Sequence, residues 1–138
     1  MFDVLTAINW LPVLIAFIAY FLLGALWCTL FFPKQYRTSL GKENEAPQKL
    51  SPIFVIGPAL CSLVITVASA ILLYALKIDS YDNALLFATL IGFGYLFANT
   101  VNIAINPNIP RPILYGLISG TYHFVGMVMV SMILVAMK

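Results

Sequence analysis

The fold is decided first by an uncharged run of 30 residues, VLTAINWLPVLIAFIAYFLLGALWCTLFFP, from Val4 to Pro33. Three more blocks without Asp, Glu, Lys or Arg follow, at residues 50–76, 83–110 and 112–137. Each block is longer than the ~20 residues that a helix needs to cross the hydrocarbon core of a bilayer. The pattern therefore predicts an all-α fold, an integral membrane bundle of four transmembrane helices with short connections.

The composition supports a membrane protein and excludes several other classes. Only 9% of the 138 residues are charged, whereas a soluble domain has roughly 25%, and the mean hydropathy is +1.01. These values exclude a soluble enzyme, a nucleic-acid binder, a secreted disulfide scaffold and a disordered chain. The two cysteines, Cys28 and Cys61, fall inside uncharged blocks and are interpreted as small apolar residues. The predicted environment is the lipid bilayer, with no nucleic-acid partner.

The sequence predicts a single transmembrane domain, residues 1–138. The four spans are expected at residues 8–32, 53–76, 83–105 and 113–137. A polar loop at 34–51 separates the first two spans and carries six of the 12 charges. The first span lacks a preceding positive segment and a following small-residue cleavage site, so it is interpreted as a retained helix rather than a signal peptide.

The second span contains two features that bear on its packing. Gly57-Pro58 lies one turn from its start, where a kink or a late helix start is expected. Small residues recur at spacings of three and four: Ser62, Thr66, Ser69 and Ala70. Such a face allows close approach of a neighbouring helix.

The basic residues predict the orientation in the membrane. Five lie in the first and third loops: Lys34, Arg37, Lys42, Lys49 and Arg111. Only Lys77 and Lys138 lie on the other side. The positive-inside rule then places those two loops in the cytoplasm and both termini outside it, in a multi-pass protein of the inner (cytoplasmic) membrane.

Polar residues in the third and fourth spans are the candidate site. Tyr95, Asn99 and Asn102 recur at spacings of four and three, so they share one helix face, and Asn106 extends it. Counted from the turn between the two spans, His123 and Tyr95 lie at similar depth, about 15 Å from the membrane surface. His123 is therefore expected to face Tyr95 or Asn99 across a polar cleft between spans 3 and 4.

Three glycines are predicted to serve helix packing. Gly116 and Gly120 form a GxxxG motif on the fourth span, and Gly92 lies on the third. In membranes such small residues let two backbones approach closely.

The polar residues have three interpretations. They pack the helices together through interhelical hydrogen bonds, or they line a small polar cavity or path, or His123 contributes to a metal or haem site. The third needs a second ligand from another copy of the chain, so neither a metal nor a cofactor is predicted. The five acidic residues lie in loops or near the N-terminus, and no catalytic motif is present, so no enzyme and no catalytic residue is predicted.

Two functions from different classes follow. In the first, a non-enzymatic membrane protein binds or passes a small solute or ion through a polar cleft lined by Tyr95, Asn99, Asn102 and His123. In the second, the chain is a structural accessory or assembly subunit of a larger membrane complex. The small-residue faces on spans 2 and 4 favour an oligomer, either a homo-oligomer or part of such a complex.

Short motifs open and close the first span, lie within the third, and precede and lie within the fourth: Asn9-Trp10-Leu11, Gly24-Ala25-Leu26-Trp27, Gly92-Phe93, Arg111-Pro112 and Gly120. With them the chain resembles the family of small bacterial four-helix membrane proteins catalogued as domain of unknown function 1761. The sequence departs from that pattern at Cys28-Thr29-Leu30, where the family has an aromatic residue, Ser and Pro, and at Leu90, where it has Trp. The resemblance implies four membrane helices and no established activity.

Overall fold

The computed structural model describes residues 3–47 and 49–138, and its regular elements are helices. Four of them are long and apolar enough to cross a membrane, which confirms the predicted all-α fold. These spans 1 to 4 cover Trp10–Phe31, Ile53–Ala75, Tyr81–Ala104 and Pro112–Ala136. Met1 and Phe2 of the predicted domain, and Gln48 of the predicted loop, lie outside the described residues.

Two short helices flank span 1. Val4–Ala7 precedes it, and Pro33–Ser39 follows it at the start of the first loop. The span itself begins where the Asn9 side chain accepts a hydrogen bond from the Leu11 amide, 3.3 Å away, which caps the helix. Pro33 occupies the first turn of the next helix, where a missing N–H costs little.

Spans 1 and 3 contain π-helical segments. The last turn of span 1, Trp27–Phe31, and the middle of span 3, Thr89–Phe97, form i→i+5 hydrogen bonds instead of i→i+4 bonds. A π-helix has more residues per turn than the 3.6 of an α-helix. Residues on either side of such a segment therefore share a face at spacings different from those of an α-helix.

Contacts at both ends fix an alternating arrangement of the spans. At one end the Arg111 amide donates to the Ser39 carbonyl at 3.2 Å, and the Arg111 guanidinium lies 3.4 Å from Glu43. At the other end the Lys138 ammonium contacts the Asp79 carboxylate and donates to the Ile78 carbonyl at 3.0 Å. The first and third loops thus lie together, opposite the second loop and the C-terminus.

Span 4 is the centre of the bundle and packs against the other three spans. Its contact with span 3 depends on the glycines predicted to serve packing. A Cβ atom added at Gly92 would lie 2.9 Å from Met127 Cβ, and one at Gly116 would lie 3.2 Å from Val101 Cα. At Gly120 it would lie 2.7 Å from Phe97 Cδ2. The two spans therefore approach too closely for side chains at these three positions.

Span 2 packs through only part of its length. Its buried residues begin at Ser62 and continue to the end of the span: Ser62, Thr66, Ser69, Ala70 and Leu73. The predicted small-residue face is therefore buried. The preceding residues 53–61 are exposed or half-buried, although the helix runs without a late start from Ile53 through Pro58. The first part of span 2 consequently stands away from the bundle and leaves a cleft beside it.

Candidate binding cleft

His123 lies half-buried at the inner end of this cleft. Its Nδ1 atom is 2.6 Å from the hydroxyl of Tyr20 on span 1, and the two groups share a hydrogen bond. The Tyr20 side chain is fully buried. The expectation that His123 faces Tyr95 or Asn99 is wrong, because its ring points between spans 1 and 4 rather than towards span 3.

Two tyrosines and two glycines interlock spans 1 and 4 beside His123. A Cβ atom added at Gly126 on span 4 would lie 2.3 Å from the ring of Tyr20 on span 1. Conversely, one added at Gly24 on span 1 would lie 2.9 Å from the ring of Tyr122 on span 4. In each of the two spans, a glycine thus leaves the space in which a tyrosine ring of the other span packs. The His123 ring lies beside these contacts, with its centroid 4.1 Å from that of the Tyr122 ring.

The cleft has a volume of about 740 Å³ and is bounded mainly by spans 1, 2 and 4 and the helix Pro33–Ser39, and Thr100 of span 3 also lines it. Apolar walls come from Phe21 on span 1 and from Phe54 and Ile65 on span 2. At 1.5 Å per residue, His123 lies about 16 Å from the start of span 4. The cleft therefore extends across roughly one leaflet of a bilayer, from the end with the first and third loops to the middle.

One wall of the cleft is polar. Tyr115, Ser119 and His123 recur every four residues along span 4 and all line the cleft. The ring of Tyr115 lies against the ring of Tyr36, with centroids 5.9 Å apart, at the loop end. Burial raises the pKa of the Tyr36 hydroxyl, which therefore stays protonated as a hydrogen-bond donor. The polar groups of span 4 thus form one side of the cleft, whose other walls are mostly apolar.

Other hydroxyl groups near the cleft are already engaged within their own helices. Ser62 donates to the Pro58 carbonyl at 2.8 Å, and Thr29 donates to the Ala25 carbonyl at 2.6 Å. By contrast, the Nε2 atom of His123 has no hydrogen-bond partner among the described residues. Since Nδ1 is held by Tyr20, Nε2 is the ring atom left to meet a ligand.

The polar residues predicted on span 3 do not join His123. Tyr95 is 71% exposed, and Asn99 and Asn102 are exposed on the outer surface of the bundle. Asn106 donates to the Ile103 carbonyl at 2.7 Å and accepts from the Asn108 amide at 2.9 Å, so it shapes the turn after the span. The predicted polar cleft lined by these residues between spans 3 and 4 is therefore not present. The observed cleft lies mainly among spans 1, 2 and 4, and Thr100 is the residue of span 3 that lines it.

The π-helical segment explains why the prediction for span 3 failed. With α-helical spacing, Gly92 and Tyr95 share a face, and Asn99 continues it. Both Gly92 and Tyr95 lie within Thr89–Phe97, where the larger number of residues per turn separates them. Gly92 is buried against span 4, whereas Tyr95 points outward.

Residues 11–135 match the family described as protein of unknown function (DUF1761). The chain belongs to this family. No curated protein and no solved structure matches the chain. The match covers nearly all of the four spans. The description of the DUF1761 family names no activity.

Sequence reasoning missed the interlocking pairs of this DUF1761 chain, although the sequence carries a signal for them. Tyr20 and Gly24, and likewise Tyr122 and Gly126, form a Tyr-x-x-x-Gly motif on each of two antiparallel spans. When two identical motifs run antiparallel, the tyrosine of each lies opposite the glycine of the other. The structure shows this pairing.

Proposed function

We propose that this chain is a non-enzymatic membrane protein that binds a small, uncharged, amphipathic molecule dissolved in the bilayer. One observation carries the proposal: His123, fixed by Tyr20, lies at the inner end of an open cleft of about 740 Å³. This volume falls within the ~300–1,000 Å³ of small-molecule sites, and a mostly apolar lining with a few placed polar groups is typical of them.

The lining favours a particular orientation of the ligand. Its polar edge hydrogen-bonds along Tyr115, Ser119 and His123, while its apolar body packs against Phe21 and Phe54. An uncharged ligand suits this site because a charge at this depth, without a partner of opposite charge, is costly. Such a molecule enters from the bilayer, past the exposed apolar residues that flank the first part of span 2.

The core beyond His123 favours binding over passage. Towards the opposite end of span 4, Met127 and Val130 are fully buried, and Leu134 is 2% exposed. These side chains pack against buried residues of the other spans, so the cleft ends near the middle of the bilayer. A solute path across the membrane would require this core to open.

We also propose that the end carrying the first and third loops faces the cytoplasm, with both termini outside, in the inner membrane. The alternating spans bring the basic residues of those loops to one end of the bundle, as the positive-inside rule requires. In this orientation the cleft lies in the cytoplasmic leaflet.

Photoaffinity labelling tests the binding proposal. The full chain in lipid vesicles is exposed to decanol carrying a diazirine group, and labelled peptides are mapped by mass spectrometry. Labelling is expected on the cleft-lining parts of spans 1, 2 and 4. Ala25→Phe fills the cleft and should reduce this labelling at least about fivefold, whereas Ala68→Phe, an exposed alanine outside the cleft, should leave it unchanged.

Equal labelling of the two variants, or labelling spread evenly over the lipid-facing surface, would reject the binding site. His123→Leu separates this proposal from a purely structural role as an accessory subunit. Under the binding proposal it weakens labelling by the decanol probe. If the ring only packs spans 1 and 4 together, the variant lowers thermal stability while labelling persists.

A further inference from the structure

The outer face of span 3 carries polar groups at a depth where only lipid or protein can surround them. We define the Asn face by its exposed residues: Gly94, Tyr95, Ala98, Asn99 and Asn102. Within the described part of the chain, neither Asn99 nor Asn102 forms a side-chain hydrogen bond. Both carboxamides therefore keep unpaired donors and acceptors on a membrane-facing surface.

The position along the span puts Tyr95 and Asn99 in hydrocarbon and Asn102 at its boundary. Span 3 has 24 residues, about 36 Å of helix, against a hydrocarbon core of ~30 Å. Asn99 lies five residues before the end of the span, and Tyr95 nine, so both lie inside the core. Helical side chains lean towards the helix N-terminus, which for span 3 means towards the bilayer centre. The preferred direction of the Asn99 side chain is therefore away from the nearer interface, and an unpaired amide there is costly.

Small residues on the same face permit a close partner. A Cβ atom added at Gly94 would meet nothing within 4 Å, so the space above this glycine is open. Ala98 follows one turn later and is exposed. Gly94 and Ala98 thus form a small-xxx-small pair that faces away from the bundle, beside the two asparagines. Such pairs allow helix backbones to approach until polar side chains can hydrogen-bond across the contact.

We infer that the Asn face is the contact surface between two copies of this chain, packed side by side with the same orientation in the membrane. The two copies are then related by a two-fold axis along the membrane normal. Each residue that lies close to this axis faces the same residue of the other copy, at the same depth. A carboxamide is self-complementary, because it carries both donors and acceptors. Asn99 of one copy then pairs with Asn99 of the other, and Asn102 pairs likewise.

This symmetry selects a second copy over an unrelated membrane protein. A different chain would have to place suitable donors and acceptors at the depths of both Asn99 and Asn102, whereas an identical chain does so automatically. No residue of the Asn face lines the cleft, although Thr100 of the same span does, so two copies can pair through this face without closing the cleft.

Cysteine cross-linking in lipid vesicles tests the position of the contact. In a chain with Cys28→Ser and Cys61→Ser, Asn99→Cys and Asn102→Cys should each form a covalent dimer on mild oxidation. The matched control is Leu60→Cys, at a similar depth on the exposed face of span 2, which should remain monomeric. Equal cross-linking at position 60, or none at either position on span 3, would overturn the inference.

Dilution of the protein in lipid, followed by single-molecule photobleaching, tests the energetics. An average interhelical hydrogen bond in a membrane corresponds to roughly a threefold change in an equilibrium constant, and each asparagine pair forms two. Asn99→Leu should therefore raise the dimer dissociation constant roughly tenfold, and Asn99→Leu/Asn102→Leu more. A monomeric wild-type chain, or a dimer that both substitutions leave unchanged, would refute the inference. Neither result bears on labelling of the cleft.

Discussion

Gly126→Ala tests the interlock between spans 1 and 4 most directly. The new methyl group would lie 2.3 and 2.4 Å from two carbons of the Tyr20 ring. The ring cannot move aside easily, because Tyr20 is fully buried and hydrogen-bonded to His123. Overpacking costs ~1–3 kcal/mol, and contact this close belongs at the upper end, about 3 kcal/mol. Alanine regains about 1 kcal/mol of helix propensity over glycine, which leaves a net loss of about 2 kcal/mol.

Two further variants calibrate this loss. At Gly24 the added carbon would meet the Tyr122 ring at 2.9 Å, so Gly24→Ala should cost less, about 1 kcal/mol. At Gly94 it would meet nothing within the chain, so Gly94→Ala should be neutral for the monomer or stabilise it by up to about 1 kcal/mol. The expected order of unfolding free energies is therefore Gly94→Ala above wild type, then Gly24→Ala, then Gly126→Ala.

Reversible unfolding by sodium dodecyl sulfate in mixed micelles, followed by circular dichroism, measures these differences. A double-mutant cycle with Tyr20→Ala isolates the contact. Once the ring is removed, only the gain in helix propensity remains, so Gly126→Ala should cost about 3 kcal/mol less than in the wild-type chain and become stabilising by about 1 kcal/mol. If Gly126→Ala instead matches Gly94→Ala within about 0.5 kcal/mol, a typical error for additive effects, the interlock as described is wrong.

The same unfolding assay tests two further predictions, each based on a single structural feature. Tyr20→Phe removes the hydrogen bond to His123 and should lower the free energy of unfolding by about 0.6 kcal/mol, and by ~1.7 kcal/mol at most. The control Tyr95→Phe, on the exposed face, should change the monomer's free energy of unfolding by less than about 0.3 kcal/mol. Gly41 has a φ of +69° and would place a new Cβ atom 3.1 Å from Pro110, so Gly41→Ala should cost about 1–2 kcal/mol; an unchanged midpoint would contradict this.

The spans themselves were predictable because lipid imposes a simple requirement on sequence. Span 2 was expected at 53–76 and runs over Ile53–Ala75, and span 4 was expected at 113–137 and runs over Pro112–Ala136. Charge is expensive in hydrocarbon, so the charged residues mark the ends of the helices. Hydrophobicity alone is enough for this, and no knowledge of tertiary contacts is needed.

The orientation of each helix about its own axis was much less predictable. In a soluble bundle a polar face points to water, but in a membrane both the buried and the lipid-facing sides are apolar. The sequence therefore predicts that Asn99 and Asn102 point inward, whereas they lie on the outer surface. The π-helical segment Thr89–Phe97 also changes which residues of span 3 share a helix face, and the residue types in this segment do not predict that change.

The position of the cleft follows from the unequal packing of the spans against span 4. Span 1 is locked to span 4 by the two tyrosine–glycine contacts, and span 3 is held close to it by Gly92, Gly116 and Gly120. Span 2 has no such contact before Ser62, and a Cβ atom added at Gly57 in this stretch would meet nothing within 4 Å. The bundle therefore has two tight helix pairs and one open side. His123 is held by the tight pair and faces the open side, so its ring is fixed in position and is still accessible to the proposed ligand.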